Sequence, residues 1–501
     1  LYAYEYWGEE CNKKIRGMFA YAIYDVNKNK IFLSRDIAGE KPIYFYYHNN
    51  IFIFASEIKA ILSDKRVIRK IDDNALQNYL KRGYCSGNET IIKNIYKLSP
   101  AQQLQFKIDE KKIVIKNYWE LKNQQFSENI TNINSHVDTV HQMLTNSVKE
   151  QLIADVPIGI LLSGGIDSSL ITGIASQFKD KLNTFNVKFS NHESFDESTN
   201  AKKISNYFKT NHHEIHADDI SPDILFKLSK QYDEPLTDSS MIPTYLISKK
   251  VVQHCKVVLG GDGGDELFGG YNHYKRVLKL NEYIKYIPSI IKNLSSSISR
   301  KIIPLGVKGK NWIELLDKDF SKNDLYYAQL FDQNTMCNLF KRNFEVKQDN
   351  THIHRNSVLF NLLRNDFREY LPNDILVKVD RASMLNSLEV RSPFLNRDLI
   401  EYSFNEINDE FKVTSTNKKI VLKLLCKKLL PKNFPVDKKH GFEIPINLWL
   451  REKKWKNFFE EILFDKRSIF NEKVVKSLFI NQKLGAKNAE RLFCLTTLQI
   501  W

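Results

Sequence analysis

The sequence predicts an α/β protein in which a parallel sheet with crossover helices follows a β-rich, antiparallel domain. Three observations carry that expectation. Short runs of aromatic and β-branched residues crowd positions 15–62, separated by turn-forming Asn-Lys-Asn and His-Asn-Asn segments. Beyond residue 136, brief apolar runs alternate with stretches of helical periodicity. Two of those apolar runs end in glycine-rich turns that open into hydroxyl- or acid-bearing residues.

In chain order, the front domain has predicted strands at 18–24, 31–34, 43–47 and 51–55, close enough in sequence to pair antiparallel. Helices are predicted at 56–62 and 73–82. A further strand pair at 103–107 and 112–115 ends the domain, whose span is set at 1–122. Residues 123–135, rich in Asn, Gln and Ser, read as a linker. The second domain, 136–501, starts with a helix over 137–152. Buried strands follow at 158–162, 184–189 and 257–259, with helical stretches between them. From about residue 275 the pattern is mostly helical, and the chain shows no internal repeat or low-complexity tract.

Composition narrows the class. A chain of 501 residues needs two or three domains, and its aromatic content argues against disorder. No apolar stretch approaches about 18 residues, so no membrane partner is expected. Six scattered cysteines without metal spacing suggest reduced, buried thiols and a cytoplasmic location. The net charge of +15 comes from dispersed lysines rather than from a basic stripe interleaved with aromatics, so no nucleic-acid partner is expected.

The first glycine turn reads Ser163-Gly164-Gly165-Ile166-Asp167-Ser168-Ser169, directly after the strand at 158–162. Strand, turn and helix N-terminus bring backbone N–H groups and the positive end of the helix dipole to one spot, which suits a phosphate or pyrophosphate. Adjacent glycines permit close approach, and the hydroxyls of Ser163, Ser168 and Ser169 add donors. No Gly-Lys-Ser/Thr follows, so this is not a Walker A loop. It resembles instead the pyrophosphate loop of enzymes that cut ATP between its α and β phosphates. The competing reading is a strand–helix turn whose serines merely cap the helix.

The second turn follows the strand at 257–259 and reads Gly260-Gly261-Asp262-Gly263-Gly264-Asp265-Glu266, continuing through Gly269-Gly270-Tyr271. It falls at the carboxyl edge of a parallel sheet, where open α/β sheets bind ligands. Carboxylates crowded beside a polyphosphate call for a hard cation. Mg²⁺ is therefore the expected cofactor, with Asp265 and Asp167 as its ligands. The competing reading is an exposed acidic turn.

Together the two loops resemble the synthetase domain of the glutamine-hydrolysing asparagine synthetases. Further segments agree: Asp233-Glu234-Pro235-Leu236-Thr237-Asp238-Ser239-Ser240, Val379-Asp380-Arg381-Ala382-Ser383-Met384, Leu388-Glu389-Val390-Arg391-Ser392-Pro393 and Lys439-His440-Gly441-Phe442. At the front, Arg16-Gly17-Met18-Phe19-Ala20, Arg35-Asp36, Gly39-Glu40-Lys41-Pro42 and Ala55-Ser56-Glu57 match as well.

The resemblance implies an adenine nucleotide alpha hydrolase-like synthetase domain behind part of an N-terminal-nucleophile glutamine amidotransferase sandwich. It also implies a reaction: ATP adenylates the β-carboxylate of L-aspartate, and ammonia drawn from glutamine converts the β-aspartyl-AMP to asparagine. Ser163, Gly164, Gly165, Asp167, Ser168 and Ser169 would then hold pyrophosphate and Mg²⁺, while Leu161, Val187, Gly260 and Gly261 would line the nucleotide. Asp262 is implied in forming or consuming the intermediate, as a base for ammonia. Asp265 and Glu266 would position Mg²⁺ or substrate, and Lys439 would neutralise the leaving pyrophosphate. Lys439 also reads, with Lys438, as a solvated basic pair. Glu389 and Arg391 either contact aspartate or form a structural pair.

The match has departures. Gly260 stands where the family often has serine, and Asp262 is glutamate in some members. The family's N-terminal cysteine nucleophile, and the arginine, Asn-Gly pair and aspartate that bind glutamine, are expected outside this chain. Cys11, in a helical stretch, is expected to be structural, and the chain as given is not expected to hydrolyse glutamine. Rival assignments are a β-lactam-synthetase-like ligase, a related amidotransferase acting on another carboxylate, and a nucleotide-binding relative without turnover. The resemblance leaves the oligomeric state open, with a homodimer among the candidates.

Overall fold

The computed structural model describes residues 1–122, 132–188, 197–216, 220–318, 320, 329–344, 357–436 and 446–501. Its front part is a sandwich of two antiparallel sheets. Strands β1 (Ala20–Asp25), β2 (Lys30–Arg35), β6 (Gln102–Lys107) and β7 (Lys112–Asn117) form one sheet in the order β1-β2-β6-β7. Strands β3 (Tyr44–His48), β4 (Ile51–Ala55) and β5 (Ile95–Lys97) form the other, in the order β4-β3-β5. Leu33, Phe45, Leu98, Leu104 and Phe106 fill the space between, where Phe52 stacks on Phe106 at 4.4 Å. Cys11 lies buried in a 3-10 turn, Gly8–Lys13, against Tyr4 and Phe32.

The second domain holds five parallel strands: β8 (Ile158–Leu161), β9 (Asn183–Lys188), β10 (Asn211–His216), β11 (Val257–Leu259) and β12 (Glu389–Arg391). Their order is β10-β9-β8-β11-β12. Three of these strands match the sequence reading. β10 and β12 are additional edge strands, one too polar and the other too short to stand out. Helix Ile133–Gln151, capped by Asn132, begins before 136, so residues 133–135 of the expected linker belong to its first turn.

Side chains alternate across this sheet and bury both faces. Ile158, Ile160, Val257 and Leu259 point into one core. Phe185, Val187, Val258 and Val390 point into the other, which also takes in Tyr44, Tyr46, Ile58, Leu76 and Tyr79 of the front domain. The two domains therefore share one apolar core. Gly159 makes the central strand possible, because a Cβ there would lie 2.6 Å from the Phe185 ring.

Polar contacts lock the same interface. Arg381, almost fully buried, meets Glu57 at 3.1 Å, donates to the Ser56 carbonyl and lies over the Tyr44 ring. Asp233 accepts from the Ile58 amide, and Glu234 from the Ile91 amide. The Asp-Glu-Pro segment thus serves the domain interface with its first two residues.

Candidate active site

From β8 the chain winds outward through β9 and β10 on one side, then returns to place β11 and β12 on the other. The reversal falls between β8 and β11, the topological switch point where open parallel sheets bind ligands at their carboxyl ends. Both glycine loops emerge there. Leu161 ends β8, and Val187 lies near the end of neighbouring β9, so both nucleotide candidates share this edge.

The first loop is braced largely by its own atoms. The Ser163 amide donates to Ser168 Oγ at 3.2 Å, the two hydroxyls lie 3.1 Å apart, and the Gly165 amide donates to Ser163 Oγ at 3.2 Å. Gly165 is the N-cap of helix Ile166–Ala175, so no side chain caps this helix. The serines tie the loop together instead, and the N-terminal turn keeps its orientation toward the crevice. Gly164 adopts φ +79°, and a Cβ there would lie 2.6 Å from the Ala201 amide nitrogen. Ser169 is fully buried, and its hydroxyl finds no hydrogen-bond partner among the described residues.

The second loop depends on its surroundings. The Gly260 amide donates to the Arg391 carbonyl at 2.8 Å, which ties the loop to β12. A Cβ on Gly261 would sit 3.0 Å from Asp167 Cβ and 3.3 Å from the Ser168 amide, so the two loops touch through glycine. Gly264 likewise packs on the Asp167 carboxylate. Asp167 and the acidic loop that carries Asp262 and Asp265 therefore meet at one crevice.

Between two of those acids sits a residue that sequence reasoning missed. Lys419, 2% exposed, places its Nζ 2.6 Å and 2.5 Å from the Asp167 carboxylate oxygens and 2.6 Å from Asp265 Oδ1. It precedes helix Ile420–Leu429 in a left-handed conformation, φ +52°. Strained backbone of this kind concentrates at functional sites. A signal was present: Lys418-Lys419 opens a helix, where the dipole disfavours cations.

Glu266 is 1% exposed and accepts from the Tyr271 hydroxyl at 2.5 Å. Burial, with Asp265 nearby, pushes its carboxyl up to about 8. Glu389 and Arg391 form an ion pair. Arg391 Nε donates to Glu389 at 2.6 Å, and its Nη1 donates to the carbonyls of Gln151 and Ile153. Lys439 lies outside the described residues.

Behind the acidic loop, Lys378 donates to Asp238 at 2.8 Å. Although burial opposes it, the lysine holds the Asp238 carboxyl below its usual range, while burial and Asp238 together push Asp374 well above.

Among the described residues, no group of three or more His, Cys, Asp or Glu side chains is placed to hold a metal by itself. Asp167 and Asp265, as hard oxygen donors, are the residues that would hold Mg²⁺. Lys419 already balances part of their charge, which makes a site that is open without its nucleotide electrostatically tolerable.

Two family models match the chain. The family model described as asparagine synthase matches residues 139–501, and the glutamine amidotransferase domain model matches residues 1–119. Asparagine synthetase [glutamine-hydrolyzing] 1 of Bacillus subtilis is 30% identical over 517 aligned positions, covering 100% of this chain and 79% of the relative. The putative asparagine synthetase [glutamine-hydrolyzing] 2 of Methanocaldococcus jannaschii is 33% identical across 77% of this chain and 75% of its own. A putative asparagine synthetase [glutamine-hydrolyzing] of Mycobacterium bovis is 30% identical across 90% of this chain and 70% of its own.

Proposed function

The chain belongs to the asparagine synthase family, and on that premise we propose that it amidates L-aspartate to L-asparagine at the expense of ATP. The observation that carries this reading is the meeting of the two loops. A helix N-terminus of the kind that suits an anion and an acidic glycine loop touch through Gly261 at the switch point of one sheet. A phosphate site alone would suit many nucleotide enzymes. The acids beside it suit a substrate activated in place.

In the proposed sequence, Ser163, Gly164, Gly165 and Ser168 hold the β and γ phosphates as the aspartate β-carboxylate attacks the α-phosphorus. The α–β bridge breaks, giving β-aspartyl-AMP and pyrophosphate. Mg²⁺, held beside Asp167 and Asp265, supplies charge neutralisation to the phosphates when bound. Lys419 keeps those two carboxylates apart and oriented. Lys439 is proposed to offset charge on the departing pyrophosphate. Ammonia then attacks the acyl carbon, AMP leaves with the bonding pair, and Asp262 takes the surplus proton. The amidotransferase match at residues 1–119 supports glutamine as the nitrogen source.

The test is pyrophosphate release by the purified chain with ATP, Mg²⁺, ammonium and aspartate. Release that requires aspartate, with AMP and asparagine in equal amounts, is the expected result. Release only with a different carboxylic acid would replace the substrate assignment. ATP binding without turnover would point to the non-catalytic relative.

A further inference from the structure

Helix Ser289–Ile302 presents its apolar side outward. Ile290, Ile291, Leu294, Ile298 and Ile302 fall within an arc of about 120° around its axis. That stripe faces solvent, each residue being 45–78% exposed. The opposite side carries Ser296 and Ser299, both fully buried. Ser296 donates to the Glu314 carbonyl, and Lys310 donates to the Ile303 carbonyl, so the polar side is the one fastened to the domain. The preceding helix, Asn272–Ile284, buries Tyr274, Val277 and Ile284 in the core, and Tyr283 and Tyr286 stand exposed around its end. A helix that only completed a core would bury its isoleucines and expose its serines. Exposed apolar residues this dense mark a surface for a partner.

The charge around the stripe selects that partner. Residues 283–313 include Lys285, Lys292, Arg300, Lys301, Lys308 and Lys310, and no Asp or Glu. Of the acids that flank the stretch, Asp317 pairs with Arg300 at 2.7 Å, Glu314 lies 3.6 Å from Lys310, and Glu282 is exposed. Lys285 and Lys308 are exposed beyond the two ends of the helix, and Lys292 is half-buried between them. A second copy of the chain, packed about a two-fold axis, would bring these lysines against themselves with no acid in the stretch to meet them. A nucleic acid would meet the lysines, but aliphatic side chains offer its bases no stacking platform. An anionic lipid surface matches both features. Its headgroups face the lysines, and the boundary with its acyl chains takes the isoleucines and tyrosines.

We propose that helix Ser289–Ile302 is a membrane-surface site: with Tyr283 and Tyr286 it lies in the interface of an anionic bilayer and holds the second domain there. No helix among the described residues is long and apolar enough to cross a membrane, and a helix lying in the interface needs no such length. The sequence set aside a membrane partner for want of a spanning run, which bears on spanning alone. The proposal is independent of the reaction assigned above.

The test is flotation of the full chain with vesicles of phosphatidylcholine alone, and of equal parts phosphatidylcholine and phosphatidylglycerol. Wild type should bind the anionic vesicles at least about tenfold more tightly than the neutral ones, and added salt should weaken that binding. Ile290→Ser combined with Leu294→Ser should lower affinity for the anionic vesicles about tenfold or more. Lys285→Gln combined with Lys308→Gln should do the same by removing two cations at the surface. Leu484→Ser removes a leucine that is 80% exposed elsewhere on the domain, and should leave binding unchanged. Unfolding temperature should match wild type in every variant, since all these side chains are exposed. A wild-type chain that does not float overturns the proposal, as does equal binding to neutral vesicles. So does an Ile290→Ser, Leu294→Ser chain that floats as wild type does. A dimer dispersed by those two substitutions, with no vesicle binding, would assign the face to a second copy instead. If the isoleucine–leucine variant fails to fold, the lysine variant decides the matter.

Discussion

The two glycine loops leave neighbouring strands and share one crevice, yet they are held in different ways. The first is a loop of donors braced by its own serines and by a glycine pressed onto Ala201. The second is a loop of acceptors held by residues from elsewhere: Lys419 meets Asp265, Tyr271 donates to Glu266, and the Arg391 carbonyl accepts from the Gly260 amide. Backbone donors cost little to leave waiting at a helix terminus. Buried carboxylates are expensive to leave unpaired. An anion cradle can therefore be local, while an acidic loop has to recruit the fold around it.

The comparison breaks most readily at Lys419. Lys419→Met would leave Asp167 and Asp265 facing each other without their buried cation, at a cost of about 3–5 kcal/mol in unfolding free energy. Urea unfolding measures this directly. Adding Asp265→Asn should recover part of the loss, a coupling visible in a double-mutant cycle. A Lys419→Met chain as stable as wild type would mean that the acids are balanced by other groups.

The same contrast explains what could be read from the residues. Both loops, their strands and most front-domain strands were legible because local periodicity and glycine placement carry them. Glu266 was legible as an acid but not as a neutral one, since its state depends on burial that only the fold creates. Lys419 lies 252 residues beyond Asp167, and no local pattern joins the two. Glu389 and Arg391 carried both a substrate and a structural reading, and what the fold adds is their ion pair, two positions apart on β12. β10, with three histidines in six residues, has too little apolar character for periodicity to mark it as a strand.

A second expectation concerns pH. Glu266 has a folded value of about 8 against an ordinary 4.5. The stability it contributes is complete below about pH 4.5 and is lost as pH rises toward 8, at about 1.4 kcal/mol per pH unit. Glu266→Gln keeps an acceptor for Tyr271 and removes that slope. Between pH 5 and pH 7, wild type should lose roughly 2–3 kcal/mol relative to the variant, read from urea midpoints at each pH. Parallel curves for the two proteins would place Glu266 in water rather than in the core.

The smallest expected effect separates the serines of the first loop from one another. Ser163 and Ser168 bond within the loop, whereas Ser169 is sealed in the core, its hydroxyl without a partner among the described residues. Removing a desolvated, unsatisfied polar atom relieves its penalty without breaking a bond, so Ser169→Ala should raise stability by about 1 kcal/mol. KM for ATP should not change. Ser163→Ala, by contrast, removes the acceptor of the Gly165 amide and should raise that KM several-fold. If Ser169→Ala instead weakens ATP binding as strongly as Ser163→Ala, its hydroxyl reaches the nucleotide, and the first loop is less self-contained than its own hydrogen bonds imply. The contrast with the acidic loop would then narrow, because both loops would depend on contacts completed only with substrate bound.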